Sequence, residues 1–338
     1  MSDPIISCVI PTRDCEAFLG EAIDSVLGQR YDAERIEVVV VDDGSVDSTP
    51  ELLDSYGERI RRIRHESAKG VHAAVEAGLA ACSGELITRL DADDAYTPDR
   101  FRVMTRALAK NSDAGLVYSD MTIIEATGGV LARSYNEVAR IAPVSGRVLG
   151  RLLVGNFISA GACMFRAQLL DRILPFPPHV AVHDWWVAVQ AARVSPVLAI
   201  PQSLYRYRQH GRNLNLGRTG LARLPLLLRE LPLRRWLLRT VEIDEVGAEA
   251  LLVALRAFDA QLAHAAAVGE QPAAQLAPGD RTAWLAAMNA GSDALDRGDF
   301  LGAMGALIRA AVEDPQDLES RDLAAQLAPH LHTAAAAA

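Results

Sequence analysis

Four consecutive residues, Asp91-Ala92-Asp93-Asp94, place three carboxylates directly after an apolar run from Glu85 to Leu90. Carboxylates this close raise one another's pKa values, whereas a hard divalent cation accepts several carboxylate oxygens and keeps them ionised. The pattern therefore predicts a Mg²⁺ or Mn²⁺ site that also takes phosphate oxygens as ligands. The alternative is a solvated, Asp-rich turn that caps the next helix.

A second acidic pair, Asp42-Asp43, follows the apolar run 36–41 in the same way. A third apolar run, 5–10, ends in Pro11-Thr12-Arg13-Asp14. Continuous apolar runs are typical of parallel strands that are buried on both faces, and ligands of such sheets collect outside the carboxyl ends of the strands. We therefore expect the three strand ends to line one crevice.

The elements that must position these residues alternate between apolar runs and amphipathic stretches from residue 4 to about 120, which is typical of successive βα units. Gly128-Gly129 lies between two short apolar stretches and predicts a hairpin. Further strands are predicted over 60–64 and 115–119, and helices over 16–29, 49–56, 71–81 and 99–111.

Asp184 lies at the start of an apolar helical stretch that runs from residue 183 to about 193. A shorter helical segment, 168–173, and a Pro-rich linker, 175–178, precede it. An Asp at a helix N-terminus is most often a cap, because its carboxylate accepts from the free backbone N–H groups there. On position alone, Asp184 is therefore predicted to be a cap.

The segment 218–239 carries six Arg and one Glu among leucines, with Pro225 and Pro232 predicted to break any long helix. One interpretation is a basic, Leu-rich surface in peripheral contact with an anionic membrane. The other is a pair of helices that packs its leucines on the main domain while the arginines reach outward to solvent. The pattern does not distinguish the two.

The chain from about residue 245 is Ala-rich and predicts helices throughout. A tetratricopeptide-like helical hairpin is predicted near 283–315, with Gly298-Asp299 as the turn. One such repeat cannot bury its face alone, so it is expected to pack on the preceding helices or on a second copy in a homo-oligomer. A disordered tail is predicted at 334–338. The hairpin motif consists of Gly291, Ala294, Ala303, Leu307, Ala310 and Pro315.

Composition narrows the class of protein. The 338 residues are half hydrophobic, enough for one large α/β domain and a smaller appendage. A formal net charge of −9 argues against bulk nucleic-acid binding. No stretch is long enough to span a bilayer, and the start lacks the pattern of a signal peptide. The four cysteines form no CxxC pair, which predicts reduced thiols and a cytoplasmic protein.

These motifs together resemble the family 2 glycosyltransferases, inverting enzymes with the GT-A nucleotide-sugar-binding fold. The resemblance covers roughly residues 4–215 and depends on the order and spacing of its motifs. It implies an α/β fold with a mostly parallel central sheet, a catalytic domain over 1–215, and an all-α C-terminal region over 216–333. The matching motifs are Val9-Ile-Pro-Thr12, Val41-Asp-Asp-Gly-Ser45, Ser83-Gly-Glu-Leu-Ile87, Leu90-Asp-Ala-Asp-Asp94 and His183-Asp184-Trp185.

The resemblance also implies roles for individual residues. Pro11, Thr12 and Asp14 would form the nucleotide cradle, and Asp43, with Asp42 beside it, would read a base that carries a ring N–H. Asp91 and Asp93 would bind the donor, with Asp93 and especially Asp94 as ligands of Mn²⁺ or Mg²⁺. Asp184 would be the general base. A mobile loop with Arg206, Arg208, His210 and Arg212, hinged at Gly211, would close over the pyrophosphate; the alternative is a basic surface loop.

Two departures from the family pattern stand out. The family more often has Glu-Asp where this chain has His183-Asp184. Many members also carry an Asn before Gly70 and an Arg-Asn pair further on, where this chain has Ala68, Val75 and Glu76. Lys69 or His72 would compensate for the missing cation, or would simply be solvated residues at a helix start.

The implied activity is transfer of a sugar from a UDP, dTDP or GDP sugar to a glycan, glycolipid or protein acceptor in cell-surface glycan synthesis. The enzyme would be cytoplasmic. An alternative is a cytoplasmic enzyme that also contacts the inner face of the membrane peripherally. A sugar-nucleotide pyrophosphorylase is an alternative, although no Gly-rich loop follows the first strand. A non-catalytic scaffold on the same fold is another. A nicotinamide dehydrogenase is excluded because GxGxxG is missing.

Overall fold

A computed structural model describes residues 3–178, 180–210, 224–267, 281–297, 299–313 and 324. These residues form two compact units. The first comprises 3–148, 157–177 and 183–210, and the second comprises the described residues of 149–156, 178–182 and from 224 onward. Gly211, Arg212, the first part of the basic segment (218–223), Gly298, Pro315 and the tail 334–338 lie outside the described residues.

The first unit is built on one sheet, which has nine strands in the described part of the chain. Eight of them lie in the order β3-β2-β1-β4-β8-β6-β9-β5, and β7 pairs with β6. The strands are β1 Ile6–Thr12, β2 Ile36–Asp42, β3 Arg61–Arg64, β4 Leu86–Arg89, β5 Ala95–Tyr96, β6 Leu116–Glu125, β7 Val130–Ala132, β8 Cys163–Arg166 and β9 Val197–Gln209.

The sheet is parallel where the predicted apolar runs lie. β3, β2, β1 and β4 pair in parallel, and β6 pairs in parallel with β9. The pairs β4–β8, β6–β8, β6–β7 and β5–β9 are antiparallel. Every residue of β1 is buried, as are the last five of β2, because both faces of these strands are covered.

Helices cover both faces of the sheet in the first unit. α1 and α4 pack on one face with Leu19, Ile23, Phe101 and Met104 in the main core. α3 packs on the other, where a Cβ on Gly78 would lie 2.3 Å from Val9 Cγ1, so only glycine allows this approach. The helices are α1 Glu16–Leu27, α2 Thr49–Tyr56, α3 Val71–Ala81, α4 Arg100–Lys110, α5 Tyr135–Ala139, α7 Leu170–Ile173 and α8 His183–Val194.

The predicted strands and helices of this unit are confirmed within a few residues, but Arg206 and Arg208, which were expected in a mobile loop, lie in strand β9. β6 is twice as long as the predicted strand over 115–119, because β9 pairs along its whole length. The hairpin at Gly128-Gly129 joins β6 to β7, and Gly128 has φ +91, a left-handed conformation that favours glycine. The four cysteines are free, as predicted.

The second unit contains helices only in its described residues. α12 and α13 pack on each other at the predicted hairpin, and a Cβ on Gly291 would lie 3.4 Å from Leu307 Cγ. Ala294, Ala303 and Ala310 are buried. The helices are α6 Leu149–Val154, α9 Leu224–Thr240, α10 Ile243–Val246, α11 Ala248–Ala267, α12 Arg281–Asp296 and α13 Phe300–Glu313.

The predicted break at Pro232 is wrong, because Pro232 lies inside the continuous helix α9. A proline in a helix interior costs about 3 kcal/mol. Burial of one leucine stabilises by roughly 1.5–3 kcal/mol, so the buried leucines of α9 together offset that cost. They are Leu228, Leu231, Leu233, Leu237 and Leu238.

The leucines of α9 are used for packing within the second unit, where α9 contacts α11 and α13. Arg235 is also buried and donates to the Val312 and Glu313 carbonyls at the end of α13. The described part of 218–239 is therefore a single helix packed within the second unit with Arg235 buried, which differs from the predicted pair of helices on the main domain with outward arginines. No helix in the described ranges is long and apolar enough to cross a membrane.

Candidate active site

The ends of β1, β2 and β4 lie at one edge of the parallel part of the sheet. Thr12 is in register with Asp42, and Arg89 is in register with Val9. The Asp43 amide donates to the Thr12 carbonyl at 2.9 Å, which joins the ends of β1 and β2. The residues that follow these strands therefore lie at the same edge, as the sequence predicts.

Asp42 is fully buried and is neutralised by the chain itself. Its Oδ1 accepts from the Ser45 amide at 2.9 Å. Its Oδ2 lies 3.4 Å from Arg62 Nη2 and 3.7 Å from Arg64 Nε. Asp42 therefore organises the turn after β2, and its full burial differs from its predicted role in donor binding.

Asp43 is 3 % exposed and accepts three hydrogen bonds from the loop before α3. His65 Nδ1 lies 2.7 Å and the Lys69 amide 2.9 Å from Oδ1, and the Gly70 amide lies 2.8 Å from Oδ2. Burial opposes ionisation, but these hydrogen bonds lower the pKa of Asp43. One lone pair on Oδ2 remains for the predicted contact with a base. His65 was not predicted.

Asp14 connects the end of β1 to the turn after β2. Its φ is +48, its amide donates to Ser45 Oγ at 3.0 Å, and its Oδ1 accepts from the Val46 amide at 2.8 Å. Pro11 and Thr12 are buried in β1. Thr12 Oγ1 is buried and has no hydrogen-bond partner among the described residues, so it is the free polar group of the predicted cradle.

Asp94 lies away from the crevice, which differs from its predicted role as a direct metal ligand. It is 1 % exposed, accepts from the Tyr205 hydroxyl, and accepts from the Arg208 amide at 2.7 Å. Burial and the charges of Asp93 and Asp91 raise the pKa of Asp94 well above its usual range. Asp94 therefore anchors the turn after β4 to β9.

Asp93 lines an open cleft of about 820 Å³ together with Asp14, Phe18 and His210. Its Oδ2 lies 2.8 Å from His210 Nε2, and the His210 ring stacks on Phe18 with centroids 5.2 Å apart. Burial and the charge of Asp91 raise the pKa of Asp93, and His210 acts in the opposite direction. This cleft brings together Asp14, Asp93 and His210 from the predicted site.

Arg208 does not face this cleft, which differs from the role predicted for it at a pyrophosphate. Its side chain is 2 % exposed and pairs with Glu21 of α1 at 2.5 Å. It also donates to the Asp93 carbonyl at 2.8 Å and to the Ala126 carbonyl at 3.1 Å. Since these partners come from three elements, Arg208 fixes the Asp93 turn in place.

Asp184 is partly buried at the N-terminus of α8, and its Oδ1 accepts from the Trp185 amide at 2.8 Å. Burial raises the pKa of Asp184 to about 6, although the charge of Arg89 works in the opposite direction. Asp184 lies outside the lining of the 820 Å³ cleft. A carboxylate that titrates near neutral pH is suited to general base catalysis.

Arg89, at the end of β4, was not predicted as a site residue. It is 9 % exposed, and its Nη2 pairs with Asp91 Oδ1. Burial works against the charged guanidinium, but the carboxylates of Asp91 and Asp184 raise the pKa of Arg89. Arg89 thus connects Asp91 electrostatically to Asp184. The signal that could have identified Arg89 is a charged residue at the end of a strand predicted to be buried.

The two departures from the family pattern have packing roles. The His183 ring stacks on Phe176 with centroids 6.1 Å apart, and its edge contact with His72 has a centroid distance of 5.0 Å. Burial, Arg89 and His72 hold the pKa of His183 well below its usual range, so the ring is neutral. Glu76 accepts from the Phe176 amide at 3.1 Å. These contacts fasten α3 to the segment before α8.

The side chains of the described residues do not form a complete cation site by themselves. Within the residues the structure describes, no group of three or more His, Cys, Asp or Glu is arranged to hold a metal ion. Asp93 and His210 are the pair that lies together in the open cleft. A cation there would need further oxygen ligands from a bound molecule.

Residues 7–174 match the sequence profile of the family described as glycosyl transferase family 2. This part of the chain belongs to glycosyl transferase family 2. A glycosyltransferase of Nostoc is 26 % identical over 222 residues, which cover 63 % of this chain and 67 % of that protein. Chondroitin synthase of Escherichia coli is 25 % identical over 221 residues, 64 % of this chain and 31 % of that enzyme. The family makes residues 7–174 part of a glycosyltransferase.

Solved structures place the fold in the GT-A class. The complex of S. aureus TarS 1–349 with UDP has a TM-score of 0.59 at 14 % identity, covering 93 % of each chain. The mannosyltransferase PcManGT from Pyrobaculum calidifontis, solved with GDP-Man and Mn²⁺, has a TM-score of 0.53 at 21 % identity, covering 94 % of this chain and 88 % of that one. At these identities the likeness shows the fold alone.

Proposed function

We propose that the protein is a metal-dependent, inverting glycosyltransferase that moves a sugar from a nucleoside-diphosphate sugar to an acceptor hydroxyl. The observation that supports this most is Asp184, a partly buried carboxylate at the start of α8 whose pKa burial raises to about 6. Such a group is ionised at neutral pH and still basic enough to take a proton from an attacking hydroxyl.

Asp184 is the general base in this proposal. It removes the proton of the acceptor hydroxyl as that oxygen attacks the anomeric carbon on the face opposite the leaving diphosphate. Base catalysis of this kind contributes roughly a hundredfold to ten-thousandfold to the rate. The Trp185 amide, which donates to Asp184 Oδ1 at 2.8 Å, holds the carboxylate so that its other oxygen is available.

Asp93 and His210 fit a divalent cation such as Mn²⁺ or Mg²⁺. Their side chains are partly exposed, at 28 % and 15 %, and meet at 2.8 Å in the 820 Å³ cleft. One carboxylate and one imidazole leave several positions for phosphate oxygens and water, and the imidazole suits Mn²⁺ better than Mg²⁺. When bound, the cation would neutralise charge on the departing diphosphate.

The nucleotide would lie at the edge formed by β1 and β2. Thr12 Oγ1 lacks a partner in the described structure, and Asp43 Oδ2 keeps one lone pair that can accept from a ring N–H. Such a group occurs in uracil, thymine and guanine. UDP in the TarS complex and GDP-Man in the PcManGT complex make these two donors the first to test. A glycan is the acceptor class we favour, as in chondroitin synthase.

Asp184→Asn is the experiment that tests this function. A panel of nucleotide sugars with Mn²⁺ or Mg²⁺ is first screened by thermal shift, because a ligand that prefers the folded state raises its stability. Asp184→Asn should then lower kcat by at least about a hundredfold while nucleotide affinity stays nearly unchanged. In the wild type, kcat should fall as the pH drops below about 6, because Asp184 becomes protonated.

A matched control is Asp171→Asn, which changes an exposed Asp in the first turn of α7. It should keep wild-type kcat. Equal loss of nucleotide affinity and turnover in Asp184→Asn would show that Asp184 is structural. A wild-type protein that binds nucleotide sugars without ever consuming them would support the scaffold alternative.

A further inference from the structure

We propose that Arg89 is a donor-sugar-binding residue, whose Nε and Nη1 donate hydrogen bonds to hydroxyl oxygens of the sugar being transferred. The inference rests on the proposed function and deepens it, because it names the group that recognises the sugar ring. The observation that carries it is a buried guanidinium with two nitrogens that lack a partner in the described part of the chain.

The position of Arg89 on the sheet sets the direction of its side chain. Side chains alternate along β4, so Arg89 and Thr88 point to opposite faces. Thr88 Oγ1 lies 2.9 Å from the Tyr96 hydroxyl and 3.4 Å from Arg100 Nη2, on the face that α4 covers. Arg89 is in register with Val9, which packs against Gly78 of α3. Arg89 therefore points to the α3 face.

The hydrogen-bond donors of Arg89 are only partly used. Nη2 pairs with Asp91 Oδ1, whereas Nε and Nη1 are buried and have no acceptor among the described residues. A buried donor without an acceptor is destabilising, so such groups are rare in folded proteins unless a ligand or ion supplies the acceptor. The two nitrogens are thus available to a ligand that enters beside Asp91.

The charges around Arg89 favour a neutral ligand group. One guanidinium lies in the field of two carboxylates, Asp91 and Asp184, so the local charge is already negative. A phosphate or carboxylate would be repelled by both acids, whereas a hydroxyl oxygen accepts from Nε or Nη1 without that repulsion. In the proposed reaction the sugar lies between the diphosphate near Asp93 and the base Asp184. The sugar is therefore the neutral, hydroxyl-rich group that we expect beside Arg89.

The test compares each nucleotide with its nucleotide sugar, using UDP against UDP-GlcNAc and GDP against GDP-mannose, all with Mn²⁺. Arg89→Met removes the donors and keeps most of the length of the side chain. It should bind UDP and GDP within about twofold of the wild type. Its affinity for the sugar nucleotide that the wild type prefers should fall about tenfold or more, since hydrogen bonds to a charged donor are strong. KM for that donor should rise with it.

Two further variants keep the test independent of folding. Arg89→Lys retains the positive charge beside Asp91 and Asp184 but lacks the planar set of donors, so it should fold and still lose affinity for the sugar nucleotide. Arg61→Met removes an arginine from β3 whose side chain is 55 % exposed, and should behave as the wild type. Thermal unfolding of all three variants shows whether each is folded.

Several results would overturn the inference. Equal loss of UDP and UDP-GlcNAc affinity would place Arg89 at the nucleotide or make it structural, and unchanged affinity for both would remove it from the donor site. Full recovery in Arg89→Lys would show that charge alone matters. A raised KM for the acceptor alone would assign Arg89 to the acceptor. Wild-type protein that bound no nucleotide would refute the proposed function itself, whereas normal wild-type transfer with an unchanged Arg89→Met refutes only this inference.

Discussion

The two acidic clusters, Asp42-Asp43 and Asp91 to Asp94, both follow buried parallel strands. They differ in how many donors the protein supplies to their carboxylates. The first cluster is supplied with donors by the protein: Asp42 meets two arginines, and Asp43 accepts three hydrogen bonds. The second cluster has fewer donors for its charge. Correspondingly, the pKa of Asp43 is lowered, whereas burial and neighbouring acids raise the pKa values of Asp93 and Asp94.

This difference separates two kinds of acidic strand end that look alike in sequence. A cluster whose carboxylates are satisfied internally stabilises the fold and holds loops in place. A cluster with excess negative charge is stable only when something external supplies positive charge. In this protein the second cluster is therefore the one suited to a cation, and within it Asp93 is the carboxylate that lines the 820 Å³ cleft.

The largest expected effect is on Mn²⁺-dependent nucleotide binding, which should depend on the second acidic cluster. Asp93→Asn should weaken Mn²⁺-dependent nucleotide binding on the order of a hundredfold, because it removes the charged ligand that faces the cleft. Calorimetric titration of UDP or GDP with and without Mn²⁺ measures this. Asp113→Asn, at an exposed position, is the control and should leave the Mn²⁺ response intact. An undiminished Mn²⁺ response in Asp93→Asn would remove the basis of the comparison.

A second prediction concerns Asp43 and stability. Asp43→Asn should lower the free energy of unfolding by about 1.5–3 kcal/mol at pH 7, because Asp43 accepts its hydrogen bonds as a carboxylate. Since the pKa of Asp43 is lowered, its contribution is present above its unfolded pKa of about 3.9 and is lost as the pH falls through the folded value. Urea unfolding between pH 3 and 7 should show the wild type and Asp43→Asn converging at the acid end. A constant difference would contradict the assignment.

The smallest expected effect is a difference in stability between variants of the two acidic partners of Arg62. Arg62 pairs with buried Asp42 at 3.4 Å and with Asp54, whose side chain is 75 % exposed. Asp42→Asn should lower the free energy of unfolding by about 1–2 kcal/mol, because the Asp42 side chain is buried whereas the side chain of its partner Arg62 is partly exposed. Asp54→Asn, the matched control, should cost less than about 1 kcal/mol. Urea unfolding at pH 7 compares them, and a larger loss for Asp54→Asn would reverse the order expected from burial.

Features that depend on local sequence could be predicted well. Apolar runs identified β1, β2 and β4, and the acids that follow them lie at one edge because parallel strands share their direction. Asp184 at the start of α8 also followed from a local pattern. These elements are set by hydrophobic periodicity and helix capping, which act over a few residues.

Features that depend on distant pairing could not be predicted. The orientation of Asp94 is decided by Tyr205 and Arg208 on β9, which no pattern near Asp94 indicates. Arg208 was expected at a phosphate, but its ion pair with Glu21 buries it. The uninterrupted α9 is a third case, because the energy of burying its leucines exceeds the local penalty of Pro232.

The late position of β9 in the chain has a consequence for folding during synthesis. This strand supplies Tyr205 and Arg208 to Asp94 and leads into His210 beside Asp93, and Tyr205 follows Asp94 by 111 residues. A nascent chain on the ribosome thus exposes its acidic turn long before the strand that completes it has been synthesised. A fragment that stops before residue 197 would leave Asp94 without its hydroxyl and amide donors.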